Sequence, residues 1–291
     1  MTQNVERRTE TLRSHDDLRL ACHVLGNGPP LVCLPGGPGR ASAYLEDLGG
    51  LSTTRTLVQL DQRGTGLSEM PSDPSSYRFD RLTADVEALR EHLGLETIDL
   101  LGHSAGGMVA QAYAAQHPER IARLVLVTTR TRNGPEELAD AALVRARRTD
   151  EPWYADASAA EAAMATAPAV VRNALEREMR PFWYGEWNAR TQEHAASADG
   201  QVSPRAMLRF GRVPEEEMQA LREACAHLRA PVLVLSGQLD GMMGPYCAEQ
   251  VAAQFPTSTR VELAGAGHFP WVDQPVEFRT VVERFLSSAR S

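Results

Sequence analysis

Leu100-Leu101-Gly102-His103-Ser104-Ala105-Gly106-Gly107 decides how this chain is read: a short apolar run breaks into Gly-x-Ser-x-Gly. The run from Ile98 to Leu101 reads as a buried strand, and Met108 to Ala115 reads as a helix. A serine between them sits on a sharp strand-to-helix turn, in a backbone conformation that ordinary residues avoid. Glycine is required at 102 and 106, because a Cβ at either place would collide with the neighbouring strand or helix. The turn lifts the Ser104 hydroxyl clear of the backbone. The helix N-terminus behind it offers free N–H groups and partial positive charge where an oxyanion would form. These features predict a nucleophile elbow.

Outward from the elbow the chain repeats one pattern. Residues 18–26 alternate loosely, as a half-exposed strand does. Pro30 to Leu34, Thr56 to Leu60, Thr97 to Leu101 and Leu124 to Val127 are short and rich in Leu and Val, and so are Pro231 to Leu235 and Thr259 to Leu263. Near-continuous apolar runs of this kind suit parallel strands covered on both faces. Helical segments lie between them, at roughly 80–93, 105–117, 245–254 and 275–288. The alternation predicts an α/β fold with a mostly parallel central sheet flanked by helices.

Residues 131–229 interrupt the alternation with an Ala-, Glu- and Arg-rich helical stretch. The expected organisation is a core in two parts, 1–130 and 230–291, with a helical cap at 131–229 inserted between them. The cap carries Trp153, Tyr154, Phe182, Trp183, Tyr184 and Trp187, whose simplest role is to pack it onto the core. Gly134, Gly185, Gly200 and Gly211 punctuate it and suit either a moving lid or ordinary loops.

A serine hydroxyl needs a base, and the base needs a carboxylate to orient it. Val232 to Asp240 reads as a strand followed by a turn ending on an acid. The next strand leads into Gly265-Ala266-Gly267-His268-Phe269-Pro270, a small-residue loop presenting one histidine. Ser104, Asp240 and His268 are therefore the expected catalytic triad. Simpler roles for the last two are a helix cap and a surface loop residue. Asp99 and Asp273 are rival acids by sequence position, but neither follows a core strand on the correct side. His103 is expected to point away from the reaction in a structural role. The oxyanion donors are expected at the Ala105 N–H and, in Pro35-Gly36-Gly37-Pro38-Gly39, at the Gly37 N–H.

Composition narrows the chemistry. The 291 residues carry a net charge of −8, with 43% hydrophobic and 23% charged residues, which is ordinary for a soluble globular chain and argues against nucleic-acid and anionic-membrane partners. All 30 basic residues are arginine. The absence of lysine excludes a Walker-type phosphate lysine, a pyridoxal-phosphate Schiff base and a Ser–Lys dyad. The histidines lack metal-ligand spacing, and neither a metal nor a cofactor is expected. Cys22, Cys33, Cys225 and Cys247 show no Cys-x-x-Cys spacing, and Cys33 reads as a core residue. The polar start Met1 to Arg8 lacks the apolar core of a signal peptide, and no run reaches membrane-spanning length. The expected location is cytoplasmic and the expected partner a small-molecule or short-peptide substrate.

Three motifs carry a family resemblance: Gly36-Gly37-Pro38-Gly39, Asp61-Gln62-Arg63-Gly64-Thr65-Gly66-Leu67-Ser68, and the Ser104 elbow. Over about 18–130 and 230–288 the chain resembles the α/β-hydrolases, in particular the proline iminopeptidases and related serine hydrolases. The resemblance implies a cofactor-independent serine hydrolase working through an acyl-enzyme, with the Asp61 to Ser68 segment bracing the site. The chain also departs from that branch. Pro35 stands where the oxyanion loop usually opens with histidine, and Ala105 where tryptophan commonly follows the nucleophile. Gly241 stands where many iminopeptidases place a glutamate that holds the substrate amine. Glu178, Glu186 or Glu193 in the cap could replace it. Two substrate classes therefore follow: N-terminal proline peptides, or small carboxylic esters and lactones. Acyl transfer or cyclisation by the same triad differs only in excluding water, and a binding protein that has lost turnover is a further alternative.

Overall fold

The computed structural model describes residues 7–131 and 135–288, apart from the side chains of Pro135 and Glu137. The first six residues of the polar N-terminus and Gly134 lie outside the described residues. The elements run β1 (Arg8–Arg13), β2 (Arg19–Gly26), β3 (Pro30–Leu34), β4 (Thr56–Asp61), α1 (Thr83–His92), β5 (Ile98–His103), α2 (Ala105–Gln116) and β6 (Ile121–Val127). Then come α3 (Pro135–Ala146), α4 (Tyr154–Met164), α5 (Ala169–Met179), α6 (Ala189–Ala196), α7 (Pro204–Phe210) and α8 (Glu215–Cys225). The chain closes with β7 (Val232–Gly237), α9 (Gly244–Ala253), β8 (Ser258–Leu263), α10 (Pro270–Asp273) and α11 (Pro275–Leu286).

The strands form one sheet in the order β1-β2-β4-β3-β5-β6-β7-β8. It is parallel from β4 to β8, while β2 runs antiparallel to both β1 and β4. The apolar runs are continuous because both faces of the sheet are covered. Successive side chains of a strand point to opposite faces. Val32, Leu34, Leu100, Leu124, Leu126, Val232 and Val234 accordingly enter one core with Val109 and Tyr113 of α2. Leu31, Cys33, Leu101, Val125, Leu233 and Leu235 enter the other with Trp271 and Phe278. Each such side chain, fully buried, contributes roughly 1.5–3 kcal/mol of transfer free energy. All four cysteines are buried, and none forms a disulfide among the described residues.

Two edges depart from the sequence reading. β1 is a mostly exposed polar strand that apolar periodicity does not reveal. β8 closes the opposite edge with mostly exposed or half-exposed residues, so it is not covered on both faces as expected. Between β6 and β7 the described residues hold six α-helices, α3 to α8, a short 3-10 helix at Arg180–Trp183, and no strand. Gly185 is a packing glycine, because a Cβ there would strike the Gly265 carbonyl, whereas Gly200 and Gly211 have open space around them.

The Asp61 to Ser68 segment ties β4 to its surroundings. Asp61 accepts hydrogen bonds from Ser42 N and Oγ (both 2.8 Å), Leu67 N (2.9 Å) and His23 Nε2 (3.0 Å). Burial pushes its carboxyl up, but these donors outweigh burial and hold it below the usual carboxylate range. Arg63, 1% exposed, forks onto Asp85 with Nε–Oδ2 at 2.8 Å and Nη2–Oδ1 at 2.5 Å, and reaches Asp16 at 2.8 Å. Removing one partner of so buried a pair strands the other charge. Arg63→Leu is therefore expected to lower unfolding free energy by about 3–5 kcal/mol, read from the urea midpoint at constant slope. A loss below about 1 kcal/mol would show that the pair is not bracing the fold.

Candidate active site

Ser104 follows β5 directly and precedes α2, with φ 52° and ψ −121°. A non-glycine residue in that region stores on the order of 1–3 kcal/mol of strain, which the surroundings must hold in place. Ser104 N donates to Val127 O at 2.9 Å, and Ser104 O accepts from Gly107 N (2.9 Å) and Thr129 Oγ1 (2.6 Å). The glycines around it are close-packed. A Cβ on Gly106 would lie 2.5 Å from Pro35 O, and one on Gly102 would lie 2.6 Å from Gly106 O. A Cβ on Gly36 would lie 2.8 Å from Ser104 Cβ and 3.2 Å from Ala105 N. The loop after β3 thus rests against the elbow, beside the first N–H of α2. Gly37, the expected second oxyanion donor, is held at φ +123° in that loop, a conformation that favours glycine.

Asp240 and His268 are brought together from the loops after β7 and β8. His268 Nδ1 lies 2.9 Å from Asp240 Oδ2, and the two side chains are 2% and 1% exposed. The other carboxylate oxygen, Oδ1, accepts from Met242 N (2.9 Å) and Met243 N (3.1 Å). An ionised carboxylate only accepts, so Nδ1 carries the proton and donates, leaving Nε2 as the basic nitrogen. The His268 backbone is clamped as well. Its N–H donates to Trp183 O at 2.7 Å, and its carbonyl accepts from Thr128 Oγ1 and His103 Nε2, both at 2.9 Å.

Ser104, His268, Gly37 and His103 line one cavity of about 380 Å³, roofed by α5 and by residues between α6 and α7. The arrangement puts a hydroxyl, an oriented imidazole and glycine-flanked N–H groups around a space suited to a small carbonyl substrate. The rival acids are elsewhere. Asp99 pairs with Arg123 at 3.4 Å, and Asp273 accepts from Gly267 N at 2.8 Å, steadying the histidine loop without touching the imidazole. No group of ligating side chains among the described residues is arranged to hold a metal ion. No helix among them is long and apolar enough to cross a membrane.

His103, expected to point away from the reaction, instead lines the cavity and lies against His268. Its ring centroid lies 4.8 Å from that of His268, and burial holds its pKa well below the ordinary value. The neutral ring donates through Nε2 to His268 O and accepts through Nδ1 from Tyr44 Oη at 2.7 Å. Tyr44 Oη in turn accepts from Gly36 N at 2.6 Å. Sequence reasoning missed Tyr44, since nothing in its spacing marks it. It also missed Arg40, whose signal was a lone charge just after a Gly/Pro loop.

The alpha/beta hydrolase fold family matches residues 29–275. The chain belongs to that family. It is a hydrolase, and its sheet order and elbow are those of an alpha/beta hydrolase. It is 29% identical over 289 residues to a proline iminopeptidase of Clostridium botulinum, covering 92% of this chain and 93% of that protein. It is 28% identical over 284 residues to a mouse (Mus musculus) (lyso)-N-acylphosphatidylethanolamine lipase, covering 89% of this chain and 79% of that one. Among solved structures it resembles an esterase of Rhodococcus sp. ECU1013, with 26% identity and a TM-score of 0.68 over 96% of this chain and 98% of that chain.

Asp273 gives the hydrolase a pH signature. Burial pushes its carboxyl up to about 6, against hydrogen bonds from the backbone that favour the charged form. The folded state therefore binds this proton more tightly than the unfolded chain does. The contribution is fully present below the ordinary value of 3.8 and is lost as pH rises through about 6. Asp273→Asn keeps an oxygen for Gly267 N and removes the titration. Relative to wild type, the variant is expected to gain on the order of 1–3 kcal/mol between about pH 4 and pH 7, read from denaturation midpoints. A pH-independent difference would contradict this.

Proposed function

We propose that the chain is a serine hydrolase of small carboxylic esters that works through an acyl-enzyme. The observation that carries the reading is a strained, buried Ser104 opening onto the same cavity as His268, whose Nδ1 is 2.9 Å from Asp240. In this reading Ser104 Oγ attacks the carbonyl carbon while His268 Nε2 takes its proton. Asp240 holds the imidazole in the required tautomer and offsets the charge that develops on it. The N–H groups of Ala105 and Gly37 receive the oxyanion. The protonated His268 then gives its proton to the departing alkoxide, and water, activated in the same way, releases the acid.

The cavity's own charges favour an ester over an N-terminal amine. An amine needs a carboxylate free to pair with it. Glu178, Glu186 and Glu193, the cap glutamates expected to serve, are exposed and do not line the cavity. The acids that do line it are engaged: Asp199 with Arg180 at 2.7 Å and Arg177 at 3.0 Å, and Glu176 with Arg180 at 3.7 Å. The position after Asp240 is closed. A Cβ on Gly241 would lie 2.6 Å from Phe182 O and 2.9 Å from Arg145 Cγ, so a glutamate there has no room. The iminopeptidase reading draws its support from the sequence similarity and from the looseness of the Glu176–Arg180 pair.

Parallel turnover of short-chain p-nitrophenyl esters and proline p-nitroanilide separates the two. Ester hydrolysis is expected to dominate. Ser104→Ala should abolish it, and Asp240→Asn should lower kcat by on the order of 10³–10⁴. Preference for the anilide would reverse the substrate assignment. Turnover that survives Ser104→Ala would remove the triad mechanism.

A further inference from the structure

Arg40 lines this cavity and, among the described residues, has no counter-ion. It stands directly after the Gly36-Gly37-Pro38-Gly39 loop, its side chain is part of the cavity wall, and the residue is only 5% exposed. Its backbone N–H donates to Gly36 O at 3.2 Å, which fixes its root to the expected oxyanion loop. The guanidinium lies 4.1 Å over the Tyr44 ring, the same ring whose hydroxyl joins Gly36 to His103. Nε donates to Gln201 Oε1 at 2.9 Å and Nη2 to Ser197 Oγ at 3.0 Å. Both acceptors are neutral. Nη1 makes no hydrogen bond to the described residues, and Arg40 forms no ion pair among them.

The other charges on the wall cancel locally. Asp199 and Glu176 are taken up by Arg177 and Arg180, as above. Burial lowers the Arg40 pKa, and the repulsion from Arg180 outweighs the attraction of Glu176. An arginine nevertheless stays protonated in a protein. The result is a desolvated cation, pre-oriented by neutral hydrogen bonds and an aromatic face, in the wall of the cavity that Ser104 and His268 also line. Buried charges are ordinarily paired. The partner missing from the protein is one a ligand can bring.

We infer that Arg40 binds a carboxylate on the substrate, making the preferred substrates short esters that carry a second, free acid group. This rests on the reading of Ser104 as the nucleophile. The half-ester of a dicarboxylic acid is the simplest member of the class. Ser104 Oγ bonds to the ester carbonyl carbon, the C–O bond to the alcohol breaks, and the alcohol leaves with the proton held by His268. Water then cleaves the acyl–Ser104 bond to give the dicarboxylic acid. The distal carboxylate stays on Arg40 throughout and is chemically unchanged.

Monomethyl adipate and dimethyl adipate test the inference, because they present the same methyl ester with and without the free acid. Acid release by the wild-type protein, followed by titration at constant pH, should favour the half-ester in kcat/KM by on the order of 10- to 100-fold, the range for hydrogen bonds to a charged group. Arg40→Met should collapse that preference to near unity, chiefly through KM, and Arg40→Lys should restore part of it. Adipate should inhibit the wild-type protein competitively and adipamide should not, a comparison that needs no variant and survives a misfolded one. Equal turnover of the two esters, or equal losses for both in Arg40→Met, would overturn the inference while leaving ester hydrolysis intact. Failure to hydrolyse either ester, with no labelling of Ser104 by a fluorophosphonate, would instead remove the serine-hydrolase reading on which it rests.

Discussion

One buried chain of hydrogen bonds holds the site together: Gly36 N–H to Tyr44 Oη, Tyr44 O–H to His103 Nδ1, and His103 Nε2–H to the His268 carbonyl. It joins the loop after β3, the residue before Ser104 and the loop after β8, three segments far apart in sequence. Its direction is fixed by the charge state of His103. Burial keeps that ring neutral, so one nitrogen donates and the other accepts. A protonated ring would aim N–H at a tyrosine oxygen that already accepts from Gly36, leaving the tyrosine proton in need of another acceptor. The same physics recurs at His194 in α6. Its pKa is lowered to about 4 by burial, and it donates through Nε2 to Tyr44 O at 2.9 Å and accepts through Nδ1 from Tyr184 Oη at 2.8 Å. Tyr44 is therefore gripped from the core by its hydroxyl and from the helical insertion by its carbonyl.

The insertion is part of the site's framework as well as its roof. The carbonyl of Trp183 receives His268 N–H, and that of Phe182 receives Gly241 N–H at 3.1 Å. Buried Arg148 holds the same segment by donating to Tyr184 O at 2.5 Å and Gly185 O at 2.9 Å. Phe182 is wedged edge-on between Trp153 and Tyr154, with ring centroids 5.2 and 6.0 Å away. Residues 180–185 therefore carry the backbone acceptors that set where Asp240 and His268 stand. α5 and the stretch before α7 line the cavity without a hydrogen bond to His268.

The elbow and the central strands were legible because local rules govern them. Gly-x-Ser-x-Gly after an apolar run admits few backbones, and strands covered on both faces cannot help being apolar at every position. Asp240 could be nominated because it follows such a strand, and His268 because it follows the edge strand β8, each at the C-terminal end where a parallel α/β sheet gathers its functional loops. β1 was invisible because its residues face solvent, and β8 was overread because an edge strand needs less apolar surface. Tyr44, Arg40 and the carbonyl of Trp183 were beyond reach for a different reason. Each matters through contacts with residues far away along the chain, and long-range contacts leave no period or spacing behind.

The identity of residue 241 shows how scaffold and specificity become coupled. The carbonyl of Phe182 that fixes the loop after β7 comes so close that only glycine fits beneath it. The same contact that steadies Asp240 thereby removes the place from which an acidic side chain would meet a substrate amine. In the cavity wall the acids are neutralised by arginines, and Arg40 is left over. With no lysine in the chain, every cation here is a guanidinium, which holds its charge under burial where an ammonium readily gives it up. The cavity that Ser104 lines thus keeps an excess of positive charge on its wall, carried by Arg40.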